Sequence, residues 1–406
     1  MNIIDYLKWR GDLTFAQSQF CQVDELIFSR LSYFDFSGLF NSYEEEITIE
    51  EAYERFSKKN NEQKRILIEG DEELFPLMAK SNRFKSFKLT RFVNNIVDEE
   101  RTQFSAITII ISDIDVFVAF RGTDNTITGW REDLDMSFQD SVPCQIAGVD
   151  YLEQIASTYT THNITVGGHS KGGNISIYAS SFCSDLTKAR IQAVYNNDGP
   201  GLSEASSNKQ GYKDVLDKIH TYVPQSSVIG RMLSHKEKYT VVLSDEKGLM
   251  QHDVYSWQIE GSCFITLEEV DDGSVFVDDT LTDFLKDSSP EQRKKALDTV
   301  FELLYKTKAT TIKEINKNKF ENYSLLLKEY SNLDKETRQA VNLIAEKLFG
   351  SAKDVLIDKY NVAVEEQKEK RESSIENMQK QLKDFFDQKR KENSIKKYQR
   401  ESKKNS

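Results

Sequence analysis

Short apolar runs separated by longer polar or amphipathic stretches dominate the first 288 residues. Six of these runs have the length and the β-branched content of strands, at residues 104–111, 116–120, 164–166, 191–195, 219–223 and 239–243. Stretches of roughly 20 residues or more separate most of them, which leaves room for crossover helices. The first hundred residues are mainly helical in pattern, with an amphipathic stretch around residues 23–33. We therefore predict an α/β fold with a mostly parallel sheet and a helical N-terminal part over residues 1–100.

The pattern changes at about residue 288, after which charged, helical sequence replaces the alternation of strands and turns. Ser289 can cap a helix, Pro290 suits its first position, and Gln292 completes a capping box. Apolar residues then recur at helical spacing in three places: Leu297, Val300, Phe301 and Leu304; Val341, Ile344, Ala345 and Leu348; and Ile375, Met378, Leu382 and Phe385. We predict a first domain over residues 1–288 and an all-helical appendage over residues 289–406.

Composition and charge limit the classes of function. Hydrophobic residues make up 38% of the chain and aromatic residues 11%, enough for a substantial core and too many for a disordered protein. The 54 basic and 66 acidic residues give a net charge of −12, which argues against a nucleic-acid-binding protein and against adhesion to an anionic membrane. Only the last segment, residues 389–404, is strongly basic, and such a run is usually a solvated, frayed end.

The cysteines and the N-terminal residues indicate the cellular setting. Cys21, Cys144, Cys183 and Cys263 are far apart and show neither a Cys-x-x-Cys motif nor a metal-binding spacing with histidine. Charged residues at positions 5, 8 and 10 interrupt the run that a signal peptide requires, and no stretch approaches the ~18 apolar residues of a membrane span. We expect a cytoplasmic protein without a transmembrane segment. The sequence contains no phosphate-binding or dinucleotide-binding motif, so no cofactor is expected.

The strongest chemical signal lies in residues 164–174, which read Ile-Thr-Val-Gly-Gly-His-Ser-Lys-Gly-Gly-Asn. An apolar strand leads into a glycine-rich turn and a helix, and residues 168–172 fit the Gly-x-Ser-x-Gly nucleophile elbow. Gly168 and Gly172 have no Cβ, so the strand and the helix can approach each other around Ser170. Ser170 would lie at a helix N-terminus, which favours developing negative charge. We predict Ser170 as a nucleophile; the alternative is an ordinary tight turn.

Two motifs resemble the class 3 (triacylglycerol) lipases of the α/β-hydrolase fold. Residues 168–173, Gly-His-Ser-Lys-Gly-Gly, are similar to the Gly-His-Ser-Leu-Gly-Gly of those lipases, and residues 118–134 are similar to their Ala-Phe-Arg-Gly-Thr … Trp … Asp-Leu segment. Residues 5–12 and 23–33 resemble still more closely the Mbeg1-like (DUF2974) family of bacterial lipase-like proteins. The resemblance covers about residues 1–270. It implies an α/β-hydrolase fold and a lipase-like or esterase activity.

The resemblance also places part of an oxyanion hole at Thr123, the hydroxy residue that follows Arg-Gly in the lipases. A tetrahedral intermediate requires two donors near one oxygen, and the N–H of Lys171, directly after the nucleophile, is the natural second donor. The alternative is that residues 121–123 form a strand-end turn with Arg121 in a structural ion pair. Lys171 replaces the usual leucine, and its side chain either attracts an anionic substrate or points into solvent.

A serine nucleophile requires a base, and the sequence contains five histidines. His169 lies inside the elbow, His162 precedes the elbow strand, His220 lies in a predicted strand, and His235 lies in a polar loop. His252 lies beyond the last predicted strand, where the chain order of α/β hydrolases places the histidine after the nucleophile and the acid. We predict His252 as the base; the alternative is a structural loop histidine.

The catalytic acid is where the sequence departs from the lipase pattern. Class 3 lipases carry this aspartate in an Asp-x-Val-Pro turn after the penultimate strand, whereas residues 222–230 contain serines in its place. Asp198 ends the preceding predicted strand and is the acid that we predict, with Asp245 and Asp253 as alternatives. An equally good interpretation is that Asp198 only forms the turn before Gly-Pro. In that case the site would contain a Ser-His dyad, or the enzyme would have weak activity.

Two hypotheses about function follow from these residues. The first is a serine acyl hydrolase in which Ser170, His252 and Asp198 form a triad while Thr123 and Lys171 bind the oxyanion. By resemblance, its substrate is an ester of a lipid or of a smaller acyl compound. The second is a binding or scaffold protein that keeps the fold with little or no turnover, because a fold alone does not determine activity.

The helical appendage requires a covering partner, because amphipathic stripes are rarely stable in water alone. That partner is the hydrolase domain, a second copy of the chain or another protein. Residues 289–406 contain no histidine, cysteine or nucleophile motif. We therefore expect their removal to leave the reactivity of Ser170 intact.

Overall fold

Strands and helices alternate along the part of the chain that the computed structural model describes, which comprises residues 1–60, 68, 70–97, 102–124, 126–136, 139–227, 229–270, 290–308, 319–335, 337, 338 and 341. The strands there are β1 (Ile47–Thr48), β2 (Lys88–Val97), β3 (Thr102–Ser112), β4 (Asp115–Phe120), β5 (Asn163–His169), β6 (Ile191–Asn197), β7 (Ile219–Pro224), β8 (Tyr239–Val242), β9 (Ile259–Glu260), β10 (Cys263–Phe264) and β11 (Thr266–Leu267). The helices are α1 (Ile3–Arg10), α2 (Gln22–Leu31), α3 (Ile49–Ser57), α4 (Asp71–Lys80), α5 (Ile127–Asp135), α6 (Pro143–Thr158), α7 (Lys171–Phe182), α8 (Asp185–Lys188), α9 (Glu204–Ser207), α10 (Gln210–Lys213), α11 (Pro290–Lys306) and α12 (Lys319–Asn332).

Nine of the described strands form one sheet, in the order β1-β2-β3-β4-β5-β6-β7-β8-β11. Strands β4 to β8 pair in parallel, whereas β1 to β4 and the edge strand β11 pair antiparallel. Helices α5 and α6 connect β4 to β5, and α7 and α8 connect β5 to β6. The predicted α/β-hydrolase fold is confirmed. The strands at the centre of the sheet are parallel, as predicted. The strands at both edges pair antiparallel, so fewer strands are parallel than the sequence predicted.

The sheet separates two apolar cores, because side chains alternate between its faces along each strand. On β4, Phe117 and Ala119 belong to the core formed with helices α1 to α4. Val118 and Phe120 belong to the core formed with α6 and α7. The N-terminal helices are therefore one layer of the α/β-hydrolase fold.

Strand β2 is an element that the sequence pattern did not predict. The prediction of a mainly helical part over residues 1–100 is right for α1 to α4, and the amphipathic stretch at residues 23–33 corresponds to α2. It is wrong for residues 88–97, which form β2 beside β3. Only Leu89 and Thr90 of this strand are buried, so its sequence lacks the apolar run by which the central strands are recognised.

The carboxyl ends of β4, β5 and β6 meet at one edge of the sheet. The register pairs Phe120 of β4 with Gly168 of β5, and His169 of β5 with Asn197 of β6. The residues that follow these strands therefore leave the sheet side by side. Ligands of α/β sheets bind at this edge, and Ser170 and Asp198 both lie there.

The chain divides into two compact units at a different position from the predicted one. The first comprises Met1–Tyr305 and Thr310–Ile312, and the second comprises Lys306–Ala309 and Lys313–Ser406. Helix α11 therefore belongs to the first unit. This division lies one helix beyond the boundary predicted between residues 288 and 289, and the helix itself, predicted from its capping sequence, is confirmed.

Contacts between α11 and α5 give the physical reason for this boundary. Asp298 on α11 forms an ion pair with Arg131, which is buried on α5. The guanidinium of Arg131 also lies 5.1 Å from the centre of the Phe301 ring. These side chains are far apart in sequence, so the helical spacing of apolar residues could not predict that they pair.

In the second unit, Leu326 and Tyr330 of α12 are buried, and Glu329 forms an ion pair with Lys306. The predicted stripes at residues 341–348 and 375–385 and the basic segment 389–404 lie outside the described residues, apart from Val341. Among the helices of the described ranges, none combines the length and the apolar character that crossing a bilayer requires.

Candidate active site

Ser170 lies on a strained turn between β5 and α7. Its backbone has φ 58° and ψ −132°, a conformation that non-glycine residues rarely adopt. Two glycines permit the turn, because a Cβ on Gly168 would lie 2.3 Å from the carbonyl carbon of Gly172, and one on Gly172 would lie 2.1 Å from the Phe120 oxygen. The Ser170 N–H donates to the Asn197 carbonyl at 2.9 Å, which ties the turn to β6. This geometry is that of a nucleophile elbow.

A cavity of about 280 Å³ opens beside this turn. Four of the predicted site residues line it, namely Thr123, Ser170, Lys171 and His252. The Ser170 hydroxyl takes part in no hydrogen bond with any described residue, so a Ser170–His252 bond is not formed in this structure. In the described ranges, no three His, Cys, Asp or Glu side chains are arranged to hold a metal ion.

The structure brings His252 together with Asp198. The Asp198 carboxylate is buried, and its Oδ2 lies 2.6 Å from His252 Nδ1. Because a carboxylate only accepts, Nδ1 donates this bond, which leaves Nε2 of a neutral His252 ring free to accept a proton. Asp198 has a φ of 51°, and its N–H donates to the Tyr222 carbonyl at 2.8 Å. The turn after β6 therefore holds the carboxylate in place.

Ser227, in the segment where the lipase pattern carries an aspartate, is a partner of Asp198. Its Oγ donates to Asp198 Oδ1 at 2.5 Å and accepts the Gly230 N–H at 3.1 Å. The loop after β7 packs so closely that a Cβ on Gly230 would lie 2.1 Å from Asp198 Oδ1. The sequence showed only that residues 222–230 lack the expected carboxylate. It did not indicate that Ser227 donates a hydrogen bond to an acid that follows the neighbouring strand.

The two alternative acids make other contacts. Asp253 caps a 3-10 turn, where its Oδ1 accepts the Tyr255 N–H at 3.1 Å. Asp245 is exposed, and its N–H donates to the Ser256 carbonyl at 3.1 Å. In the described part of the chain, Asp198 is thus the carboxylate that pairs with His252.

His169 and Tyr33 form a buried pair next to His252 that the sequence did not predict. His169 Nε2 donates to the His252 carbonyl at 2.9 Å, and the centres of the two rings lie 4.5 Å apart. The Tyr33 hydroxyl lies 3.0 Å from His169 Nδ1. Burial, together with His252 and Arg30, lowers the pKa of His169 well below its usual value, so this ring is neutral. His169 therefore holds the backbone of His252 and does not take up protons itself.

Thr123 and Lys171 carry free backbone donors close to Ser170. Within the described residues, neither N–H takes part in a hydrogen bond. Thr123 follows Gly122, where an added Cβ would lie 3.1 Å from Ser170 Cβ, and Lys171 is the first residue of α7. The Thr123 hydroxyl, by contrast, donates to Asp133 Oδ2 at 2.5 Å. The groups that are free to donate a hydrogen bond beside Ser170 are therefore the backbone N–H groups of Thr123 and Lys171, not the Thr123 hydroxyl.

Arg121 makes structural contacts, as in the alternative interpretation of residues 121–123. Its Nη2 lies 3.0 Å from Asn94 Oδ1 and 3.6 Å from Asp124 Oδ2. This ion pair stabilises the end of β4. It is compatible with a free N–H on Thr123, so the two interpretations of the segment do not exclude each other.

The side chain of Lys171 does not point into solvent, which was one of the two predicted alternatives. It is buried, with Nζ 2.9 Å from Glu132 Oε2 and 3.2 Å from the Gln103 carbonyl oxygen. The prediction that it points into solvent is wrong, because α5 places two carboxylates, Glu132 and Asp133, within reach of the ammonium. Burial alone would lower the pKa of Lys171, but these carboxylates raise it, so the side chain stays charged.

Comparison with known families gives a match over the centre of the chain. A family model described as Mbeg1-like matches residues 78–302, more than half of the 406 residues. The matched segment contains the elbow, Thr123, Asp198 and His252. A search of curated proteins finds no match to the chain.

Solved lipase structures show similarity to the chain at low sequence identity. M37 lipase is 14% identical, with a TM-score of 0.35 over 51% of this chain and 68% of that chain. The lipase from Rhizopus microsporus var. chinensis is 15% identical, with a TM-score of 0.31 over 48% and 70%. The Lip2 lipase from Yarrowia lipolytica is 11% identical, with a TM-score of 0.29 over 44% and 82%.

Proposed function

The chain belongs to the Mbeg1-like family, and we propose that it is a serine acyl hydrolase that cleaves carboxylic esters through Ser170, His252 and Asp198. One observation carries the proposal. The buried Asp198 carboxylate holds Nδ1 of a histidine that lines the same cavity as a serine on a strained elbow. A hydrogen-bonded carboxylate fixes the tautomer of a catalytic histidine, and the elbow exposes the nucleophile.

In the proposed reaction the Ser170 oxygen attacks the ester carbonyl carbon while His252 Nε2 accepts the hydroxyl proton. Asp198 stabilises the imidazolium, and the N–H groups of Thr123 and Lys171 bind the oxyanion. The intermediate expels the alcohol, which takes the proton from His252, and the acyl group remains on Ser170. A water molecule that His252 deprotonates then attacks the acyl group. The bond to Ser170 breaks, the Ser170 oxygen takes the proton back from His252, and the acid is released. In free hydrolases the serine–histidine bond is often long and tightens with substrate, which agrees with the unbonded Ser170 hydroxyl.

The proposed substrate is a neutral ester of a lipid or of a smaller acyl compound. Met136, Ile229 and Met232 line the cavity and provide apolar surface for an acyl chain. Among the described residues of its lining, the two cationic ones, Arg30 and Lys171, are already paired with carboxylates. The cavity therefore favours an uncharged substrate over an anionic one.

The second candidate function is a binding protein with the same fold and little or no turnover. Two observations favour it: the Ser170 hydroxyl is not bonded to His252, and the Thr123 hydroxyl is bonded to Asp133. A protein of this kind would bind an ester in the cavity without forming an acyl intermediate on Ser170.

A fluorophosphonate probe distinguishes the two candidates. The probe reacts with activated serines, so we expect it to label the wild-type chain and to leave Ser170→Ala unlabelled. Ser157→Ala, which changes a helix serine bonded only to the Gln154 carbonyl, is the matched control and should label like the wild type. A folded wild-type chain that neither reacts with the probe nor hydrolyses 4-nitrophenyl butyrate would support the binding protein instead.

Deletions that end on either side of α11 are expected to differ. A chain ending at residue 308 keeps Asp298 and Phe301 on Arg131, so its probe labelling at Ser170 should match that of the full chain. A chain ending at residue 288 leaves buried Arg131 without these partners, and we expect its free energy of unfolding to fall by about 2–3 kcal/mol. Labelling rates and denaturant unfolding of both chains measure this. Equal stability of the two chains would contradict the assignment of α11 to the hydrolase unit.

A further inference from the structure

We infer that the side chain of Lys171 is a positioning residue for the oxyanion site, because it neutralises Asp133 and through Asp133 holds Thr123 beside Ser170. The inference rests on the proposed function, and it adds a role for the lysine ammonium to the role of the lysine N–H. It is carried by the contacts of three side chains, those of Lys171, Glu132 and Asp133.

The Lys171 ammonium lies between two neighbouring carboxylates of α5. Its Nζ is 2.9 Å from Glu132 Oε2 and 3.6 Å from Asp133 Oδ1. The lysine side chain is 1% exposed and that of Glu132 is 0% exposed, so water does not screen their charges. Charge interactions are strong in such surroundings, and removal of one partner is correspondingly costly.

Glu132 is held by backbone donors as well as by Lys171. Its Oε1 accepts the Cys144 N–H at 2.9 Å, and its Oε2 accepts the Gln103 N–H at 3.1 Å. These two bonds stabilise the charged carboxylate and attach it to α6 and β3. Glu132 is therefore a fixed anchor for the Lys171 ammonium, and it keeps two hydrogen bonds when the lysine is removed.

Asp133, whose side chain is 29% exposed, has fewer hydrogen-bond partners than Glu132. Its Oδ2 accepts the Thr123 hydroxyl at 2.5 Å, but its buried Oδ1 has no hydrogen-bond partner. Among the described residues, Lys171 is the cation paired with this carboxylate. Burial raises the pKa of Asp133, while the charge of Lys171 and the bond from Thr123 lower it.

Loss of the ammonium would act on Thr123 through Asp133. An unneutralised Asp133 beside Glu132 would take up a proton or turn away, and either change alters the bond that holds Thr123. Asp133 also lines the cavity, so a carboxylate left without its cation would repel the developing oxyanion. Both effects raise the energy of the transition state and spare the binding of the neutral ester. We therefore expect kcat to fall while KM stays nearly constant.

The test is steady-state hydrolysis of 4-nitrophenyl butyrate by the full-length wild type, Lys171→Met and Lys171→Met/Asp133→Asn. Loss of one oxyanion donor costs roughly 10²–10³-fold in kcat, and we expect Lys171→Met to lose about 100-fold with KM unchanged within about threefold. Asparagine keeps an oxygen for the Thr123 hydroxyl and requires no cation. The double variant should therefore recover at least about tenfold of the lost kcat.

Lys188→Met is the matched control. Lys188 also lies between two carboxylates, at 3.5 Å from Asp185 and 3.4 Å from Asp214, but it is not part of the cavity lining. Its replacement should change kcat by less than about twofold.

Two results with folded Lys171→Met would overturn the inference. One is an unchanged kcat, and the other is an equal loss in the single and double variants, which would trace the effect to packing or to Glu132. If Lys171→Met fails to fold, Asp133→Ala decides, because it keeps the Lys171–Glu132 pair and removes the link to Thr123. We expect at least a tenfold loss of kcat at constant KM from Asp133→Ala, and no loss overturns the inference. A wild-type chain without hydrolysis or labelling at Ser170 overturns the proposed function, and this inference with it.

Discussion

Replacement of His252 with alanine is expected to lower kcat for ester hydrolysis by about 10⁶-fold, the order of loss that follows removal of the base from a serine hydrolase. His252 is the histidine whose Nδ1 donates to a buried carboxylate while its ring lines the cavity beside Ser170. Without it, no described imidazole near Ser170 is available, because His169 Nε2 is bonded to a carbonyl. Hydrolysis of 4-nitrophenyl butyrate measures the change in kcat.

The control for this variant is His220→Ala. His220 is exposed on β7 and stacks on Tyr195, with ring centres 5.2 Å apart, and it does not line the cavity. Its replacement should change kcat by less than about twofold. A loss below about tenfold with His252→Ala would show that another group takes the Ser170 proton, and the proposed triad would be wrong.

Replacement of Asp198 with asparagine is expected to lower kcat by about 10⁴-fold while the protein remains folded. Asparagine nearly matches the shape of aspartate, but it stabilises the wrong tautomer of His252 and does not stabilise the imidazolium. The Asp198 side chain is 1% exposed, so water cannot readily replace the lost carboxylate. Thermal unfolding of the variant, measured beside its kinetics, separates this loss from a loss of structure.

Three further variants sharpen the test of the acid. Asp245→Asn and Asp253→Asn should keep kcat within about threefold, because neither carboxylate pairs with His252 in the described ranges. Ser227→Ala removes one hydrogen bond from Asp198 and should cost about three- to tenfold. A 10³-fold or larger loss with Asp253→Asn, together with a mild effect of Asp198→Asn, would move the acid to Asp253.

Several features of the site could be predicted because they depend on short stretches of chain. Gly168 and Gly172 lie so near Ser170 that local sterics alone require a strand, a tight turn and a helix. Apolar runs likewise identified the central strands, because burial on both faces leaves a continuous apolar sequence. The partly exposed β2 has no such run and was not predicted.

Contacts between distant segments could not be predicted in this way. The bond between Asp198 and His252 joins residues 54 positions apart. From the sequence, Asp198 was the predicted acid, but a turn-forming role for it and the alternatives Asp245 and Asp253 stayed open. The role of Ser227 depends on the loop after β7 meeting the turn after β6. The ion pair between Asp298 on α11 and the buried Arg131 on α5 likewise joins distant segments of the chain.

By itself, the sequence determined the nucleophile elbow, the central strands and the family, since each follows from residues that are neighbours along the chain. The tertiary structure alone decided which acid meets His252, where the Lys171 ammonium lies, and where the first unit ends. The physical reason is the distance along the chain over which each interaction acts. Turn sterics and hydrophobic periodicity act over a few residues, whereas ion pairs and burial depend on which distant elements pack together.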